Sequence, residues 1–280
     1  MTNFFLRDDN KLLNIAHRGG AAVRPENTLL AFRNALTLGA VALEGDLHAT
    51  RDGVVVVSHD AAVDRTTNGR GYIKEMTCEE LRGLDAGYRF TRDGGLTHPY
   101  RGEGLQVPTL EEVFCDPVLA RTPMILEIKQ QEPVIVDKVL DLIQACEMED
   151  RLVFGSFHQV CLKEVRTGAA QRGMNVLTSL AAEEVVTFFL TPLEEMARGD
   201  YVPPGKLLQV PVEHELDGET MQVVSAEFMA KARAAGLGVQ VWTVNDPEEM
   251  RWLAEEIKVA GIMTDNPGLL EQVIKEFGGD

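Results

Sequence analysis

Eight short apolar runs punctuate the chain: "LLNIAH", "AVALEGD", "PMILEIK", "RLVFGSF", "MNVLTSL", "KLLQVPVE", "GVQVWTV" and "VAGIMTD". Between most of them the apolar positions switch to helical spacing. In "TLLAFRNALTLG", Leu29, Phe32 and Leu36 fall on one face, and Gly39 stands where a left-handed C-cap belongs. Strand and helix alternating in this way specify a parallel sheet, and eight repeats predict an α/β fold of the (β/α)8 TIM-barrel type.

Residues 60–120 break the alternation with turn signals and glycines, and read as a segment inserted after the second barrel strand. One barrel domain over residues 1–280 carrying that insertion fits a hydrophobic fraction of 45%. It leaves from the strand ends where barrel sites lie, so it either helps to shape the pocket or only decorates the barrel.

Charge narrows the partners. Asp and Glu number 44 against 27 Lys and Arg, a net −17, which disfavours nucleic acid and anionic lipid surfaces. The four cysteines are far apart and form no C-x-x-C pair, so they read as reduced thiols rather than a zinc site or disulfide framework. No stretch has the length of a membrane span and the N-terminus lacks a secretory pattern, so a cytoplasmic protein without stable membrane insertion is expected. Nothing along the chain specifies an oligomeric state.

The second run is where chemistry concentrates. Side chains alternate along a strand, so Glu44 and Asp46 share one face while Leu43 and Leu47 take the other. The Asp52-Gly53 dipeptide predicts a two-residue hairpin turn that sets Arg51 opposite Val54 and Asp46 opposite His59. On the third run Glu127 and Lys129 share a face, and His17 and Arg18 close the first run. In a barrel the carboxyl ends of these strands meet at one mouth. Three carboxylates crowded there call for a hard divalent cation, Mg²⁺ or Ca²⁺, while Arg18 and Lys129 suit a phosphate. Trp242 and Phe157 are candidates to present a ring to a substrate alcohol, with core packing an equal alternative. Glu213 and His214 end the sixth strand and are placed to reach the pocket, with a structural role the preferred reading.

These residues resemble the glycerophosphodiester phosphodiesterase family. The likeness runs in order through "AHRG", "PENT", "LEGDLHATRDGVVVVSHD", "DRTTNGRG", "VPTLEEV", "ILEIK", "VWTVND" and "GIMTDNP", over nearly the whole chain. It implies a (β/α)8 barrel with an insertion after the second strand. It also implies metal-dependent hydrolysis of small-molecule glycerophosphodiesters, such as glycerophosphocholine or glycerophosphoethanolamine, to sn-glycerol 3-phosphate and an alcohol. Carried over, Glu44, Asp46 and Glu127 would hold one divalent cation, His17 and His59 would be acid and base, and Arg18 and Lys129 would hold phosphate. Asn27 would cap the first helix and fix the loop beneath His17. Strand four ends "GSFH", where the family commonly has Asp or Asn after the Phe. Two other activities compete: a lysophospholipase D acting on lipids, against which the acidic charge weighs, and an aldolase-type Schiff base on Lys129, which leaves the carboxylates and histidines idle.

Overall fold

The computed structural model describes residues 3–6, 11–130, 134–216 and 218–277. Its strands are β1 (Leu13–Ala16), β2 (Ala42–Ala49), β3 (Val55–Val57), β4 (Met124–Ile128), β5 (Leu152–Gly155), β6 (Leu177–Thr178), β7 (Leu207–Val210), β8 (Glu213–Leu216), β9 (Glu219–Gln222), β10 (Gly238–Val241) and β11 (Gly261–Thr264). All eight apolar runs are barrel strands, hydrogen-bonded in the order β6-β5-β4-β2-β1-β11-β10-β7 with every neighbour parallel. A bridge between Ser179 and Leu207 closes the barrel, with Lys206 N donating to Thr178 O at 2.9 Å and Leu180 N to Leu207 O at 2.9 Å.

The helices are α1 (Leu29–Thr37), α2 (Cys78–Arg82), α3 (Leu110–Cys115), α4 (Val134–Ala145), α5 (Gln159–Gln171), α6 (Ala182–Leu190), α7 (Leu193–Arg198), α8 (Ala226–Ala234), α9 (Pro247–Trp252) and α10 (Pro267–Phe277). In α1, Phe32 is fully buried and Leu29 and Leu36 pack beside it, on the face the spacing predicts. The helix stops where Gly39 turns to φ +96°, and Ala40 N reaches back to Ala35 O at 3.1 Å. Leu43 and Leu47 lie in the same cluster, which confirms that β2 turns its leucines to the helices and Glu44 and Asp46 inward.

Segment 58–108 packs, together with Val56 of β3, around a small apolar cluster of Val63, Ile73, Leu81, Ala86 and Val107. The barrel wall resumes with α3, whose Leu110, Val113 and Phe114 sit in the main core. Near the closing seam, Arg166 of α5 donates to Thr178 Oγ1 at 2.9 Å and Ser179 O at 2.9 Å, and grips Glu184 of α6 with two bonds of 2.7 and 2.9 Å. That bidentate pair fixes α6 against the rim.

Two expectations are corrected. The β2–β3 hairpin pairs Leu47 with Val57 and Ala49 with Val55, one residue away from the expected register. Thr50 N bonds Val54 O, so the loop holds three residues and ends on Gly53 at φ +77°. Asp46 O accordingly receives Ser58 N at 2.8 Å, and His59 stands one residue beyond the ladder. The second correction is the β8–β9 hairpin, which extends from the end of β7 over the mouth and which the strand count did not anticipate.

Candidate active site

The chain leaves β1 through a single tight turn, His17–Gly19, with Arg18, Gly19 and Gly20 all at positive φ. A side chain at Gly19 would meet Ala31 Cβ and Phe32 at 2.9 Å, so only glycine lets this turn press onto α1. The turn aims Arg18 N at Glu44 Oε2, 2.8 Å away, and brings Arg18 Nε within 3.7 Å of Asp46. Nε is buried without a hydrogen-bond partner, leaving a donor to spare beside the carboxylates.

His17 Nδ1 meets Asp265 Oδ1 at 2.7 Å. Asn245 donates to the other Asp265 oxygen at 2.8 Å and receives Asp265 N and Thr264 Oγ1 on its own carbonyl. Burial alone would lower the His17 pKa, but the Asp265 bond and the charges of Glu44 and Asp265 outweigh it and the net direction is up. With Nδ1 engaged, Nε2 is the ring atom left for a substrate.

Glu44 and Asp46 are buried and Glu127 is half-buried, and one carboxylate oxygen from each lies within 4.8 Å of the others. Burial, followed by the neighbouring charge of Asp46, pushes the Glu44 carboxyl well above the usual range. Burial also raises Glu127, against the opposing pull of Lys129. Lys129 Nζ reaches Glu127 at 3.1 Å and Asp46 at 3.6 Å, one cation among three carboxylates. Closely spaced hard oxygens with surplus negative charge fit a divalent cation.

Asn27 corrects the expected cap. Thr28 caps α1, accepting Ala31 N at 3.1 Å, whereas Asn27 at φ +55° donates Nδ2 to Asp46 Oδ2 at 2.8 Å and N to Arg18 O at 2.9 Å. It fixes the loop beneath His17, as expected, and orients a carboxylate besides.

His59 Nδ1 pairs with Asp60 Oδ1 at 2.7 Å. Arg65 grips Asp60 from Nε at 2.6 Å and Glu26 with two bonds of 2.7 Å, and Glu26 in turn accepts Arg18 Nη1 at 3.1 Å. Burial would raise Asp60, but the Arg65 and His59 bonds hold it down at about 2. His48 donates Nε2 to the His59 carbonyl at 3.2 Å, steadying the same loop.

One cavity of about 650 Å³ takes in His17, Arg18, Glu44, His59, Glu127 and Lys129, with Asp46 buried beneath them. Trp242 and Phe157 also line it, their rings edge-to-face at 6.0 Å. His214 reaches the rim from the exposed β8–β9 hairpin. Sequence reasoning missed Asp265, Asn245, Asp60, Arg65 and Glu26, although "TVND", "MTD" and "SHD" set a polar residue directly after an apolar run.

Residues 17–269 match the Glycerophosphoryl diester phosphodiesterase family. A Glycerophosphodiester phosphodiesterase of Caldanaerobacter subterraneus subsp. tengcongensis is 30% identical over 96% of this chain and 100% of its own. A mouse lysophospholipase D is 30% identical over 94% of this chain and 86% of its own. Among solved structures, a putative glycerophosphoryl diester phosphodiesterase from Silicibacter pomeroyi superposes with a TM-score of 0.75 at 30% identity, covering 98% of this chain and 96% of that one.

Proposed function

Since the chain belongs to the glycerophosphoryl diester phosphodiesterase family, we propose that it hydrolyses glycerophosphodiesters to sn-glycerol 3-phosphate and an alcohol, in one barrel domain, with a divalent cation held by Glu44, Asp46 and Glu127. The observation that carries this reading is the convergence of those three carboxylates within 4.8 Å, in one cavity with two carboxylate-backed histidines. The cation, Mg²⁺ or Ca²⁺, supplies Lewis-acid polarisation of the phosphoryl group and offsets the carboxylate charge that would repel an anionic substrate.

This chain's own residues do the rest. Arg18 and Lys129 neutralise charge on the phosphoryl oxygens as it grows, and the Arg18 Nε without a partner supports that part. Trp242 and Phe157 give an apolar edge against which the glycerol or alcohol lies. His17, raised by its Asp265 bond, keeps its proton and protonates the departing alkoxide. His59, turned by Asp60, takes the proton from the attacking oxygen. Lys129 is tied to two carboxylates, which supports a charge-neutralising part for it over a Schiff base. A cytoplasmic setting belongs to the same reading, supported by four cysteines that are thiols rather than disulfides.

A coupled assay for glycerol 3-phosphate release, across a panel of glycerophosphodiesters with and without chelator, tests the reading. Release that depends on added Mg²⁺ or Ca²⁺ is expected; full activity after exhaustive EDTA treatment would sink the metal.

A further inference from the structure

Below the mouth the barrel interior is filled by apolar side chains, among them Ile15, Ile125, Val153, Leu207 and Met263. Two amides interrupt it. Gln209 of β7 and Gln240 of β10 are direct register partners on neighbouring parallel strands, while Leu208, Val210, Val239 and Val241 beside them pack in the outer cluster with the helices. Gln209 Nε2 donates to Gln240 Oε1 at 2.9 Å, and Gln240 is wholly buried. Its own Nε2 has no hydrogen-bond partner. A buried amide with an idle donor costs stability that an apolar pair of the same size would not. What the arrangement achieves is a fixed orientation for Gln209.

With its amide nitrogen committed to Gln240, Gln209 has its carbonyl oxygen to offer. Gln209 lines the cavity, and its Oε1 accepts no hydrogen bond from any described residue. A Cβ placed on Gly155 would stand 2.9 Å from that oxygen, 3.8 Å from Ser179 Oγ and 3.9 Å from Glu127 Cγ. Gly155 is the register partner of Glu127 on the next strand and also lines the cavity. It is not among the glycines at positive φ, so glycine here supplies room rather than backbone freedom. An acceptor is thus held open, across bare backbone, from the stem of a candidate metal ligand. A carbonyl oxygen repels phosphoryl oxygens, for which Arg18 and Lys129 provide the donors, and it suits a neutral hydroxyl close to the phosphate.

We infer that Gln209, oriented by Gln240, accepts a hydrogen bond from a free hydroxyl of the glycerol and so selects glycerol diesters over diesters of a plain alkyl alcohol. Gln209 is the specificity-determining residue and Gln240 a positioning residue behind it. This rests on the phosphodiesterase reading and assigns its glycerol selectivity to the β7–β10 side, across the barrel from the groups on β1, β2 and β4.

The test compares kcat/KM for choline release from glycerophosphocholine and from propyl phosphocholine, with Mg²⁺ or Ca²⁺ present. The second diester keeps the leaving group and lacks both glycerol hydroxyls. A site built to bond a substrate hydroxyl rejects the analogue without it by about 10⁴–10⁵-fold at best, and with Gln209 open to the cavity the parent should prefer glycerophosphocholine by roughly 10²-fold. Gln209→Leu should cut that preference about tenfold, the loss falling on the hydroxylated diester. Gln240→Leu should cut it several-fold. Should either fail to fold, Gly155→Ala keeps both amides, fills the space before Oε1 and should cut the preference likewise. A parent with no preference, or variants that lose equally on both diesters, overturns the subsite and leaves the reaction standing. Choline release by the parent from neither diester removes the phosphodiesterase reading and the subsite with it.

Discussion

The two sides of the cavity are built on opposite plans. The β1–β2–β4 side carries the carboxylates, both histidines, Arg18 and Lys129, nearly all on strand ends or the turn beyond. The α6–hairpin side carries apolar residues on appended elements. Strand ends are held by a ladder on each flank and fix a reacting group closely, as bond-making needs. A helix and hairpin on the rim are free to differ in length and apolar content, which suits the choice of substrate. In our reading the reaction and its selectivity therefore come from different parts of the fold.

Breaking the charged side should have the largest effect. Glu44→Gln and Asp46→Asn are expected to lower kcat/KM by roughly 10³-fold, the several kcal/mol that a polarising cation supplies. The loss should be similar across the panel of glycerophosphodiesters, because the phosphoryl group is common to all of them. Isothermal titration with Mg²⁺ or Ca²⁺ checks the cause: a variant that binds metal as the parent does is not missing a ligand.

A smaller effect is expected at Arg65, which touches no reacting atom. It positions His59 through Asp60 and Arg18 through Glu26. Arg65→Ala should lower kcat about 10–100-fold, as loss of such supporting partners does elsewhere. The pH profile separates positioning from simple damage. Without Arg65, Asp60 loses part of what holds it at about 2, its pKa rises, and it protonates at higher pH. The acid limb of the rate profile should then move up in pH, and Arg65→Lys should restore only part, since one ammonium cannot grip two carboxylates as a fork does. An unmoved profile would reduce Arg65 to a structural tie.

The same contrast explains what could be read from the chain. Barrel strands and inward carboxylates were legible because burial imposes alternation, and Glu44, Asp46 and Glu127 sit between apolar neighbours that fix their direction. Asp265 and Asn245 were not, because they act through His17 from the other end of the chain, and only closure of the barrel beside β1 brings them together. The hairpin register slipped by one because Asp52-Gly53 signals a two-residue turn as readily as the last two residues of a three-residue one. The β8–β9 hairpin carried the same dipeptide at Asp217-Gly218, but its flanks are wet on both faces and give no apolar alternation. In α6, "VVTFFL" patterns as core, and exposure is a property of tertiary placement alone.

The central claim is that the charged side runs acid–base chemistry on two separately backed histidines. The most direct measurement is kcat/KM of His17→Ala and His59→Ala on glycerophosphocholine and on a nitrophenyl phosphodiester, whose leaving group needs no proton. His17→Ala should lose about 10²–10⁴-fold on the first and far less on the second, whereas His59→Ala should lose heavily on both. Equal losses on both substrates for both variants would contradict this division of labour and leave the histidines as supports for the metal shell.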